Sequence, residues 1–143
     1  NLFVHAGLSA RLLERDLEMD TLNARMSEGL YRTSKERRED PTLEFLYRSA
    51  GPVWYRGMVC TDEKYDPLTP EQTDALLRRY DADRLLVGHT IFPDISTFHD
   101  GRVIAVNVQN ELNRRKNRGR AVLIEGSRIS VVGNRGVKRV LEE

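Results

Sequence analysis

The sequence predicts an α/β fold of the α+β kind, with helices early and antiparallel strands late. Three observations carry that prediction. The short apolar runs Leu2-Phe3-Val4 and Leu85-Leu86-Val87 read as buried strands. Between them lie stretches whose apolar residues recur at helical spacing. The last third consists of β-branched runs separated by turn residues. At 143 residues, with no Pro/Gly/Ser-rich linker, residues 1–143 read as a single domain.

After the first strand, Leu8, Leu12, Met19, Leu22, Met26 and Leu30 share a narrow stripe at about 100° per residue. The stripe predicts an amphipathic helix from about Ala10 to Leu30 with Ser9 as N-cap. Ser34 to Asp40 has no apolar position and reads as a solvated connection. Pro41 and Thr42 start a short helix over Leu43 to Tyr47, stopped by Gly51 and Pro52. A glycine-bounded loop follows, Gly51-Pro-Val-Trp-Tyr-Arg-Gly57, carrying the only tryptophan. Thr69-Pro70-Glu71-Gln72 is a strong helix start, with a capping box and proline at the first helical position, and the helix runs to about Tyr80. His99-Asp100-Gly101-Arg102 signals a turn before a strand over Val103 to Val106. Strands follow at Arg120–Ile124, Ile129–Val132 and Val137–Leu141, with a tight turn at Glu125-Gly126-Ser127.

The 23 basic and 22 acidic residues nearly cancel, so no global field favours nucleic acid or a membrane surface, and neither is expected as a partner. No apolar run approaches the ~20 residues of a membrane span. Cys60, the one cysteine, forms no internal disulfide and reads as a partly buried filler rather than a nucleophile, because no histidine lies near it in sequence. The basic run Arg114 to Arg120 lacks interleaved aromatics and reads as a solvated loop. The chain opens in mid-strand without a start methionine, so its natural N-terminus is expected to lie further upstream.

Two of the three histidines stand in the same context. His5 follows the first strand and precedes Ala6 and Gly7; His89 follows the second and precedes Thr90. Open α/β sheets place ligands at the carboxyl ends of their strands, so the pair is a candidate metal site, although two side chains are too few for a complete one. His99, before a turn, reads as exposed.

At these residues the sequence resembles a known family. Leu2-Phe-Val-His-Ala-Gly-Leu-Ser9 and Leu86-Val-Gly-His-Thr90 are similar to two histidine blocks of the calcineurin-like metallophosphoesterases, above all their phosphoprotein-phosphatase branch. Gly51–Gly57 and Asp100-Gly-Arg-Val-Ile-Ala-Val-Asn107 are similar to segments of its bacterial, Shewanella-like members. The resemblance implies the C-terminal half of a two-sheet αββα sandwich. It implies His5 and His89 as metal ligands and Arg56 as the residue that reaches the substrate phosphate, with two divalent or trivalent ions (Mn, Fe or Zn) in the complete enzyme. A planar guanidinium suits that task because it can pair two phosphate oxygens at once, and stacking on Trp54 could hold it.

Ile91 stands where many non-protein phosphoesterases of the superfamily carry a further histidine, which favours the phosphoprotein-phosphatase branch; the family's acidic first-half motifs are absent, and Asn134-Arg-Gly136 does not replace them. The resemblance therefore implies that the N-terminal half of the same domain is a partner, and that this chain by itself is inactive. The function it implies is hydrolysis of a phosphomonoester, on a phosphorylated protein or a small phosphoester, by a metal-activated water. The alternative is a non-catalytic binding module that uses the same fold without metals.

Overall fold

The computed structural model describes residues 1–142. Strands β1 (Leu2–Val4), β2 (Leu85–Val87), β3 (Ser96–Phe98) and β4 (Val103–Ala105) form one sheet in the order β1-β2-β4-β3. β1, β2 and β4 are parallel, with Val4 opposite Val87 and Val87 opposite Ala105, and β3 pairs antiparallel with β4. β5 (Ala121–Glu125), β6 (Arg128–Gly133) and β7 (Gly136–Glu142) form a second sheet, an antiparallel meander.

Side-chain alternation along the strands assigns the layers. Leu85, Val87, Val103 and Ala105 face one way and pack with Leu12, Leu46, Leu76 and Leu77 from the helical layer. Leu86 and Ile104 face the other way and meet Ile129 and Val131 of β6. The order is thus helices, mixed sheet, antiparallel sheet. The α/β class holds; the half-sandwich of a metallophosphoesterase is corrected below, where the neighbours of this fold are given.

The single long helix expected over 10–30 is interrupted. A 3-10 turn covers Ala10–Leu12, and α1 covers only Met19–Leu30. Leu17 explains the break: in an unbroken helix it would lie on the opposite face, about 160° from the stripe at 100° per residue. The chain instead bends and buries Leu17 in the core, where its carbonyl accepts a hydrogen bond from the Tyr80 hydroxyl. Ser9 caps nothing; its buried hydroxyl donates to the Ala50 carbonyl.

The charged stretch after Thr33 is a helix, α2 (Ser34–Glu39), held by a reciprocal capping box between Thr33 and Glu36 and with no buried residue. α3 (Pro41–Tyr47) starts on the Asp40 side chain, and α4 (Pro70–Arg79) on the Thr69–Gln72 box, as its sequence predicts. α5 (Asn110–Arg115) takes up part of the basic run that reads as a loop. Arg118 and Arg120 are tied down, to Asn113 and to Asp94. No helix among the described residues is long and apolar enough to cross a membrane.

Candidate functional site

Because β1 and β2 are parallel neighbours, their carboxyl ends bring His5 and His89 side by side. The Gly88 amide donates to the His5 carbonyl at 3.0 Å, which holds the two strand tips together. His89 sits in the left-handed region at φ +56, unusual for a residue with a side chain. The Asn107 side-chain amide donates to its carbonyl at 3.2 Å. Backbone held in such a conformation concentrates where a side chain must be aimed.

The glycine-bounded loop is clamped to the same tips, its Pro52 carbonyl accepting from the Ala6 amide at 2.9 Å. It brings in Arg56, whose guanidinium lies 2.7 Å from His89 Nε2. His5 Nε2 and His89 Nδ1 are 3.0 Å apart. A guanidinium can only donate, so His89 Nε2 accepts and carries no proton. Neutral His89 then holds its proton on Nδ1 and donates to His5 Nε2, which leaves His5 protonated on Nδ1. The result is a directed relay, Arg56 to His89 to His5.

Burial pushes the His89 pKa below its ordinary 6.5, and the positive charge of Arg56, followed by the neighbouring His5 ring, pushes it the same way. The folded chain consequently binds fewer protons here than the unfolded chain. Stability is fully present above about pH 6.5 and declines as pH falls through the window between that value and the depressed folded one. Melting temperature recorded from about pH 7.5 to 5 should show this decline, and His89→Gln should flatten it; an unchanged profile would remove His89 as its source.

The half-exposed Trp54 ring stands edge-on to His89, with centroids 5.4 Å apart. The stacking of Arg56 on Trp54 is therefore corrected: its guanidinium faces the Tyr65 ring instead, 5.5 Å from the centroid. Trp54, Tyr55, Arg56 and Tyr65 line a cleft of about 660 Å³ that also takes in Arg11, Arg48 and Lys64. Sequence reasoning missed these last three, and nothing in their separate positions signals convergence. It also missed Asn107 as the hold on His89.

His99 is half-buried rather than exposed. Its Nε2 donates to the Met58 carbonyl at 3.1 Å, and its Nδ1 lies 3.3 Å from the Thr73 hydroxyl. Its role is to pin the β3–β4 turn onto the helical layer. Cys60 is a free thiol packed against the main core.

Neither a comparison with protein-family models nor one with curated proteins gives a match. Solved structures do match. A cold-active protein tyrosine phosphatase superposes with TM-score 0.83 at 25% identity, over 96% of this chain and 38% of that one. The cold-active protein-tyrosine phosphatase of a psychrophilic Shewanella species superposes with TM-score 0.83 at 26% identity, over 97% of this chain and 40% of that one. A point mutant of a cold-active protein tyrosine phosphatase gives the same values. This chain thus spans about two-fifths of the length of the structures it resembles.

These neighbours overturn part of the sequence reading. Each is described as a protein tyrosine phosphatase and none as a calcineurin-like metallophosphoesterase, so the resemblance to the C-terminal half of that family is corrected. The two-metal mechanism and its two ions go with it. The donor set agrees with that correction: among the described residues no group of three or more His, Cys, Asp or Glu could hold an ion. His5 and His89 face each other in a hydrogen bond, and the guanidinium of Arg56 occupies the remaining His89 nitrogen, a cation that repels a metal ion.

Proposed function

We propose that this chain forms the phosphate-binding part of a phosphatase that acts on phosphorylated protein. The observation that carries the reading is the Arg56–His89–His5 relay at the strand ends, whose outer member, Arg56, lines a cleft with aromatic and cationic walls. Arg56 takes two oxygens of the phosphoryl group in a bidentate, charge-assisted pair. As it turns to the phosphate it frees His89 Nε2, a neutral nitrogen able to accept a proton beside the reacting group. His5, already hydrogen-bonded to His89, steadies the imidazole while that charge is present. The tyrosine phosphatases that share the fold support phosphotyrosine as the substrate.

A second reading, a phosphate-binding module without turnover, is favoured by one feature: no cysteine lines the cleft. One experiment separates the two. Hydrolysis of phosphotyrosine and of p-nitrophenyl phosphate is followed in the wild-type protein and in its Arg56→Ala form. Turnover lost with Arg56 supports the phosphatase. Phosphate binding without turnover supports the module, and absence of both removes the phosphate site altogether.

A further inference from the structure

The cleft carries more positive charge than one phosphate requires. Four cations line it, Arg11, Arg48, Arg56 and Lys64, against the carboxylate of Asp66. With Arg56 committed to the phosphate, three remain, and they come from separate elements: Arg11 from the 3-10 turn after β1, Arg48 from the end of α3, Lys64 from a second 3-10 turn, Glu63–Tyr65. Two of them have partners outside the lining, Arg48 with Glu44 at 3.1 Å and Lys64 with Asp62 at 2.9 Å. Both pairs are solvent-exposed, and exposed pairs hold their members too weakly to prevent exchange for a ligand's carboxylate.

The aromatic wall supplies the rest of the surface. Tyr65 has the Lys64 ammonium 4.8 Å from its ring centroid and the Arg56 guanidinium at 5.5 Å, so one ring joins the phosphate end of the cleft to its cationic rim. Trp54 stands half-exposed beside His89. A flat membrane would meet these charges poorly, because they line a concave cleft; an extended peptide fits along it.

We propose that this cleft selects phosphorylated peptides whose residues flanking the phosphorylated side chain are acidic, with Arg11, Arg48 and Lys64 pairing the flanking carboxylates. The inference rests on the phosphate-site reading above.

Trp54 is the only tryptophan in the chain and lines the cleft, so its fluorescence reports occupancy directly. Two phosphotyrosine peptides of equal length are titrated, one flanked by Asp and Glu, the other by Gln. The acidic peptide should bind about tenfold more tightly at low salt, and the advantage should shrink at about 0.5 M salt. In Arg11→Glu/Arg48→Glu, and separately in Lys64→Glu, the ratio of the two affinities should fall toward one. Equal affinities in the wild type, or a ratio unchanged by charge reversal, would overturn the selection while leaving the phosphate site in place. Failure of both peptides and of inorganic phosphate to bind would instead overturn the phosphate reading itself. Binding of phosphatidylserine vesicles without any preference between the peptides would make the rim a lipid-facing surface and sink the proposal.

Discussion

Arg56→Lys should lower phosphate affinity and catalytic efficiency roughly ten- to a hundredfold while the fold stays intact. Lysine keeps the charge but loses the planar fork, so about 1–3 kcal/mol of charge-assisted hydrogen bonding is removed from the phosphate. Its ammonium is also a compact point charge, less suited to holding His89 Nε2 and a phosphate oxygen in turn. Thermal stability should move little, because Arg56 is only half-buried and its hydrogen bond to His89 is the contact at risk. Titration with inorganic phosphate, paired with a melting curve, separates the outcomes. Unchanged affinity with a clearly lower melting temperature would assign Arg56 to structure.

Gly57→Ala should destabilise the chain and disable the site together. A Cβ at this position would meet the Tyr55 hydroxyl at 2.2 Å and the Asp66 carbonyl oxygen at 2.4 Å, and that hydroxyl donates to that same carbonyl. The added methyl therefore cannot be relieved by turning a flexible side chain aside: Tyr55 is buried and Asp66 contributes backbone. Overpacking together with the lost hydrogen bond costs about 2–4 kcal/mol. For a chain of this size that corresponds to a melting temperature roughly 5–15 °C lower. Arg56 is the preceding residue, so phosphate affinity should fall as well. A variant that melts at the wild-type temperature would show that the loop has room for a methyl group between Tyr55 and Asp66.

How much of this was legible in the sequence depended on how local the signal was. The Thr69–Gln72 box and the hairpin turn at Gly126, which takes φ +62, are written within four residues, and both form as read. The Thr33–Glu36 box is equally local, yet the absence of apolar residues in α2 concealed it, since periodicity needs a buried face to be visible. α1 was overextended because a stripe drawn through Leu12 and Met19 ignores the demand of Leu17 for burial, which only the tertiary packing imposes.

The site divides along the same line. His5 and His89 could be paired from matching strand-end contexts, and parallel strands then placed them together. Their reading as a metal site starts from those same contexts and was completed by the family resemblance, whose two ions the tyrosine phosphatase neighbours contradict. The hydrogen-bond relay could not be foreseen, because it depends on Arg56 arriving from a loop anchored to the strand tips. The cationic rim was beyond sequence reasoning for a similar reason: Arg11, Arg48 and Lys64 meet only in the folded chain.

The central claim is that phosphate binds where Arg56, His89 and His5 are joined, and imidazole ¹⁵N NMR tests it at those atoms. Before phosphate is added, the nitrogen shifts should show His89 protonated on Nδ1 and bare on Nε2, with His5 protonated on Nδ1. Inorganic phosphate added to about 10 mM should shift the His89 and His5 ring signals in step with the Arg56 side chain. His99, which is held by Thr73 and Met58 and has no part in the Arg56–His89–His5 relay, should stay still as the internal control. Ring signals of His5 and His89 that do not move, or a His99 response as large as theirs, would contradict a phosphate site at the strand tips.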